Sequence, residues 1–263
     1  MNREIHVRIC EGLGEQSPGL LDPICIDVID VRKKLGPNQA LAGVSLRLEA
    51  GGLYGVIGPD GAGKTTLLRV LVGLLHPDQG TVGFREGSQS VSFETARPSM
   101  AYMPQQQSLY PDLSIVEHLE FFRDLYQISR AVYEPRAQRL LHLTRLEKFQ
   151  DRPAGQLSGG MYKKLGLMCA LLQTPSALLL DEPTNGVDPI SRREFWDLLY
   201  ELRADGILIL IATAYMDEAE RCGEVYLMEA GRVWTHGAPR AILEREKARD
   251  FAELFVRRAG VSQ

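Results

Sequence analysis

Residues Gly58-Pro59-Asp60-Gly61-Ala62-Gly63-Lys64-Thr65 hold glycine, lysine and threonine at the spacing G-x-x-x-x-G-K-[ST]. That spacing suits the binding of a nucleotide's phosphates. Glycines let the backbone wrap an anion closely, and main-chain N–H groups and the start of the next helix point at it. Lys64 reaches the β and γ phosphates, and Thr65 offers a hydroxyl to Mg2+. The plain alternative is a glycine turn capping a helix. A second candidate is Asp181-Glu182, two carboxylates at the end of the apolar run Ala177-Leu178-Leu179-Leu180. Where a buried strand reaches the nucleotide edge of a sheet, Asp181 would hold Mg2+ through water and Glu182 would polarise an attacking water as general base. Capping of the turn Pro183-Thr184-Asn185-Gly186 by Asp181 is the competing structural role. Third, Ser158-Gly159-Gly160 precedes a long helical stretch, exposing N–H donors and the positive end of a helix dipole to an anion, or simply capping that helix.

Elements of a definite kind must position these residues. Ile24, Ile26, Val28 and Val31 are strand-like, residues 41–48 alternate apolar and polar, and 53–57 form a short buried strand running into Gly58. The pattern predicts a helix over 64–75 stopped by His76-Pro77, then irregular strands and loops over 81–103. It is helical again over 112–149 and 159–172. A strand over 177–180, a helix over 191–203 and a strand over 207–212 follow, then short strands over 224–228 and 232–235 and a charged helix over 240–258. Strands alternating with helices predict an α/β fold with a mostly parallel sheet covered on both faces. The expected organisation is an N-terminal extension (1–23), a nucleotide-binding core (24–108 and 173–236), a helical subdomain carrying Ser158 (109–172) and a C-terminal helical tail (237–263).

With 263 residues, 44% hydrophobic and 24% charged, the chain has a globular composition and enough length for a large core. Its net charge of −4 gives no general attraction to nucleic acid. Cys10, Cys25, Cys169 and Cys222 form no CxxC pair, so neither a disulfide framework nor a zinc site is indicated. The N-terminal residues lack a signal-peptide apolar region, and the most apolar late stretch, 206–215, is too short to span a membrane.

Leu157-Ser158-Gly159-Gly160-Met161 resembles the signature motif of the ATP-binding cassette (ABC) family, and the resemblance covers roughly residues 24–236 with the motifs in family order. It implies a P-loop NTPase, RecA-like core with an antiparallel β part and an inserted helical subdomain, with ATP and Mg2+ as cofactors. Ser158, Gly159 and Gly160 would contact ATP held by a second cassette in a head-to-tail dimer. The resemblance adds Thr66 to the nucleotide contacts, makes Gln105 in Tyr102-Met103-Pro104-Gln105 a Mg2+ and water contact, and places Asp188 in Gly186-Val187-Asp188-Pro189 at the dimer interface. Without that context, Gln105 and Asp188 read as surface polar groups.

Two residues depart from the family pattern, both in the chain's own ATP site. Leu35 stands where an aromatic ring usually stacks on adenine, which predicts base recognition weaker by about 1 kcal/mol. Ala214, in Thr213-Ala214-Tyr215-Met216, stands where the family has its switch histidine. A methyl group cannot hydrogen-bond the γ-phosphate, so hydrolysis here should be impaired although Glu182 remains. His6, His76, His118, His142 and His236 lie outside that motif and read as surface or structural histidines. The wording around 157–172 and 181–195 looks most like type-2 exporter ATPases. The expected function is an ATPase subunit energising an exporter through cassette dimerisation, with transmembrane permease subunits and a second cassette, more in keeping with a heteromeric dimer, as partners. Its expected place is cytoplasmic, peripheral on the membrane. The alternative is a regulatory cassette, or half of a tandem pair, with little hydrolysis. Soluble repair-type and ribosomal members are disfavoured, because neither a long coiled-coil insertion between Lys64 and Ser158 nor a second cassette with a charged linker is present in this sequence.

Overall fold

In the computed structural model, residues 23–106, 109–258 and 260 are described; all but the last residue of the expected N-terminal extension lies outside them. Two sheets build the molecule. An antiparallel sheet runs in the order β2 (Asn38–Leu48), β1 (Ile24–Leu35), β4 (Gln79–Glu86), β5 (Gln89–Val91). The second has the order β10 (Arg232–Gly237), β9 (Glu224–Glu229), β3 (Leu53–Ile57), β8 (Leu208–Thr213), β7 (Ala177–Asp181), β6 (Met100–Met103). All its neighbours are parallel except the β9–β10 hairpin.

The central strands are apolar on both faces because each face has its own core. Leu178 and Leu180 of β7, with Ile209 and Ile211 of β8, pack on the helical side. Leu179, Leu208 and Leu210 pack with Ile24, Ile26, Leu67 and Leu68, between the two sheets and α1 (Lys64–Leu71). The alternation of side chains along a strand thus divides one apolar run between two interiors.

Helices α2 (Ile115–Leu125), α3 (Arg130–Thr144) and α4 (Gly159–Leu171) meet through Leu119, Tyr133, Leu140, Leu165 and Met168. Ser114 and Glu117 close a capping box at the start of α2, which fixes where that helix begins. His118 is fully buried: its Nδ1 lies 2.8 Å from the Ser114 carbonyl oxygen, and its Nε2 accepts from the Tyr110 amide at 3.0 Å. It is structural, whereas His76, His142 and His236 are exposed. After β7 come α5 (Pro189–Ala204), and at the end α6 (Pro239–Glu246) and α7 (Phe251–Arg258), whose Ile242, Phe251 and Leu254 enter the helical-side core.

Several expected elements are divided or displaced. The helical stretch expected over 112–149 breaks at Gln127, with φ of 54°, and the one over 240–258 at Lys247, with φ of 50°. The helix expected to reach 75 ends at Leu71, and Gly73 turns the chain at φ of 73°. Part of the segment read as irregular is the regular strand β4. Gly80 and Gly83 weaken its local signal, but pairing to β1 along Ile24↔Glu86 to Ile29↔Thr81 supplies its order.

Leu179, fully buried between the sheets, reports on this architecture. Leu179→Ala is expected to lower unfolding free energy by about 2–5 kcal/mol, read as a lower urea midpoint at unchanged slope.

Candidate nucleotide site

β3 ends at Ile57, and the Gly58 amide donates to the Thr213 carbonyl at 3.3 Å, anchoring the 58–65 loop between neighbouring strands. Two glycines there are obligatory. A Cβ on Gly58 would collide with the Met228 carbonyl oxygen, and one on Gly63 with that of Ala40, while Gly63 also takes φ of 103°. Among the described residues no side chain caps α1 behind Gly63, which leaves the amides of its first turn available to an anion.

Lys64 is buried and curls over this loop, donating to the Gly58 carbonyl at 2.9 Å and the Pro59 carbonyl at 3.2 Å. Its ammonium also lies 3.2 Å from Glu182 Oε1. That contact is an ion pair without hydrogen-bond alignment, and Oε1 has no hydrogen-bond partner among the described residues. Thr65 donates its hydroxyl to Asp181 Oδ1 at 3.0 Å, and Tyr102 donates to Oδ2 at 3.2 Å. Burial pushes the Asp181 carboxyl up, against the lowering effect of Thr65, Tyr102, Arg69 and Lys64. Burial, then the neighbouring Asp181, pushes the Tyr102 phenol up to about 12. A hydroxyl beside a carboxylate is a hard, all-oxygen donor pair, which fits Mg2+ once a nucleotide supplies further oxygens.

Glu182 takes φ of 47°, rare for a residue with a side chain. Its amide donates to the Ala212 carbonyl at 2.8 Å, and its own carbonyl accepts from Asn185 at 3.2 Å and Lys163 at 3.5 Å. Gln105 is exposed; its main-chain oxygen accepts from Lys163 at 3.0 Å. Ala214, half-buried, follows β8 directly, so it stands next to Thr213, which anchors Gly58.

Residues 158–160 and 188 occupy a different surface. Ser158 and Asp188 are exposed caps: Ser158 accepts from the Met161 amide at 3.3 Å, and Asp188 from the Ile190 and Ser191 amides at 3.1 and 2.9 Å. Hydrogen bonds from Ser191 and these amides hold the Asp188 carboxyl below the usual range. The two caps are neighbours, since Gly160 packs so closely on Ser191 that a Cβ would strike its side chain. Among the described residues, no hydrogen bond or ion pair joins them to 58–65. The structure thus brings Gly58–Thr65, Asp181, Glu182 and Ala214 together, and leaves Ser158, Gly159, Gly160 and Asp188 on a second face.

Three supporting residues escape sequence reasoning. Tyr102 sits on a strand just before Gln105, and Lys163 is one lysine of a charged pair. Glu218 looks like a surface acid in Met216-Asp217-Glu218-Ala219-Glu220 but is fully buried. Its Oε1 accepts from Thr184 at 2.6 Å, Arg192 at 2.9 Å and Trp196 at 3.1 Å. It therefore joins the loop after Glu182, the first turns of α5 and the segment after Ala214. Glu218→Ala is expected to destabilise the protein by roughly 1–3 kcal/mol through the donors left without an acceptor. Glu218→Gln, which keeps the accepting oxygen, should lose less, as measured by chemical denaturation.

The sequence profile of the family described as ABC transporter matches residues 41–185. The chain is 45% identical over 217 residues to the probable multidrug ABC transporter ATP-binding protein YbhF of Escherichia coli (strain K12), covering 81% of this chain and 37% of that protein. It is 39% identical over 231 residues to the Nod factor export ATP-binding protein I of Burkholderia lata, covering 88% of this chain and 76% of that protein. The chain therefore spans little more than a third of the length of the first relative. A solved ATP-binding subunit of an ABC transporter superposes with a TM-score of 0.75 at 30% identity, over 88% of this chain and 98% of that one. A dimeric bacterial ABC transporter cassette gives 0.70 at 25% identity, over 81% and 98%.

Proposed function

The chain belongs to the ABC transporter family, and from that premise we propose that it is the ATP-binding and ATP-hydrolysing subunit of an exporter, driven by dimerisation of cassettes, with its own site impaired. The observation that carries this reading is the buried pair Lys64–Glu182 beside Thr65–Asp181, with alanine at position 214. The names of the relatives, one a probable multidrug transporter component and one a Nod factor export protein, support export.

Lys64 is the moving part. Its ammonium now satisfies two loop carbonyls and faces Glu182, so phosphates entering the loop compete for that charge. As Lys64 turns to the β and γ phosphates, Glu182 loses its counter-ion and becomes free to accept a proton from an attacking water. Thr65 and Asp181 would hold Mg2+, whose chemistry would be to neutralise charge on the phosphates. Thr66 and the loop amides complete the nucleotide contacts, and Gln105 would supply a further contact to Mg2+ and water. Ser158 and Gly159, exposed, with Gly160 packed beneath them, would complete the ATP site of a second cassette, and Asp188 lies on the same face. A dimeric solved cassette among the structural neighbours supports this arrangement.

Because Ala214 removes a γ-phosphate contact from this chain's site while Ser158 remains, the productive dimer is heteromeric, and this chain completes its partner's site better than its own. Among the described residues, no helix is long and apolar enough to cross a membrane, and the chain sits on the cytoplasmic face through transmembrane subunits. Residues 24–108 and 173–236 act as the nucleotide-binding core, 109–172 as the helical subdomain and 237–263 as a tail. A second reading, a regulatory cassette or tandem half with little hydrolysis, is favoured by Ala214 alone.

Lys64→Ala is expected to abolish most ATP binding in calorimetry; equal affinity in both proteins would overturn the phosphate-loop assignment. Losing one transition-state contact costs a factor of roughly 10²–10³ in rate, so Ala214→His should measurably raise single-turnover hydrolysis in the assembled complex. No rise, with ATP binding and assembly intact, would favour the regulatory reading.

A further inference from the structure

The first two turns of helix α4 face two different places. Its N-terminus carries the exposed Ser158 and Gly159, and one turn further on Lys163 points into the protein. Lys163 is 9% exposed, and among the described residues no carboxylate lies within ion-pair distance of its ammonium. That ammonium donates instead to two main-chain oxygens, of Gln105 at 3.0 Å and of Glu182 at 3.5 Å.

A buried lysine without a paired carboxylate is costly, and a methionine of similar length would fill the space without that cost. Burial lowers the Lys163 pKa, while the charges of Asp181 and Glu182 oppose the shift. The position of the charge gives it a use. Gln105 follows β6, Glu182 follows β7, and Lys163 belongs to neither strand, so a single ammonium gathers the two segments onto α4. Glu182 also holds a rare backbone conformation, at φ of 47°, which persists only where several contacts determine it together. The Ala212 carbonyl fixes its amide, and Asn185 and Lys163 fix its carbonyl.

We infer that Lys163 is a positioning residue that ties the backbones of Gln105 and Glu182 to α4, so that engagement of Ser158–Gly160 at the start of the helix is transmitted, one turn further on, to the segment that bears the carboxylate of this chain's own site. The transmission part rests on the function proposed above; the tether itself does not.

The test uses the full chain without nucleotide, comparing wild type, Lys163→Met and Lys163→Arg by hydrogen exchange read by mass spectrometry. Lys163→Met should speed exchange in peptides covering 182–186, where the Glu182 and Asn185 amides are hydrogen-bonded, by about tenfold, the size of one net hydrogen bond, while β3 and α1 stay unchanged. Lys163→Arg, which keeps the donors, should restore protection. In the assembled complex, in the Ala214→His background, Lys163→Met should slow single-turnover hydrolysis by about ten- to a hundredfold with ATP affinity within about twofold of wild type. Wild-type exchange over 182–186 in Lys163→Met would overturn the tether. So would a loss of melting temperature and ATP affinity in step with the rate, unrelieved by arginine, because that is the pattern of a general packing defect. Should Lys163→Met not fold, Lys163→Gln, too short to span both carbonyls, is judged by the same criteria. Failure of the ATPase reading appears separately, as absence of ATP binding by the wild-type chain.

Discussion

Three parallel strands end side by side, and the candidate site exists because they do. Ile57 of β3 is in register with Thr213 of β8, and Asp181 of β7 with Ala212. One step beyond those pairs the chain enters the glycine loop, the carboxylate pair and the segment bearing Ala214. Parallel register requires each strand to return by a crossover, so these segments lie far apart in sequence and meet only at one edge of the sheet. The two apolar cores, one on each face, hold that register, because a slip by one residue would exchange every side chain between them.

Within the edge, charge is arranged around a lysine with an interim set of partners. A buried ion pair is a poor source of stability, since desolvation offsets most of its attraction. Lys64 and Glu182 are better understood as groups held near their working positions. The carbonyls of Gly58 and Pro59 share the ammonium, Oε1 of Glu182 has no hydrogen-bond donor among the described residues, and little has to be broken when an anion enters. Asp181 differs: both its oxygens are engaged, by Thr65 and Tyr102, so its orientation is settled before any cation arrives.

Ala214 gains meaning from this scaffold. The residues on either side of it are not degraded. Thr213 anchors Gly58, and Glu218, four residues later, ties the same segment to Thr184 and to α5. The backbone that would present a side chain at position 214 is thus held from both directions, while the side chain itself is reduced to a methyl. The second face, with Ser158 and Asp188 as adjacent exposed caps, is assembled with equal care by the contact of Gly160 with Ser191.

Much of this was legible from residue order. Gly58 to Thr65 between a strand and a helix, the apolar run into Asp181-Glu182, and Ser158-Gly159-Gly160 are local patterns, and local patterns survive in one dimension because neighbouring residues perform the function together. The parallel α/β fold follows from alternating periodicity for the same reason. Strand β4 was obscured because its order comes from pairing with β1 across the chain, and the breaks at Gln127 and Lys247 because neither residue type advertises a left-handed backbone. Only the tertiary structure decided that Glu218 is buried, that Tyr102 serves Asp181, that Lys163 joins Gln105 to Glu182, and that the Ser158 and Asp188 caps are brought side by side by the packing of Gly160 on Ser191. Those facts depend on which groups meet after long crossovers, and the burial of a charged side chain is a property of its neighbours in space, not of its neighbours in sequence.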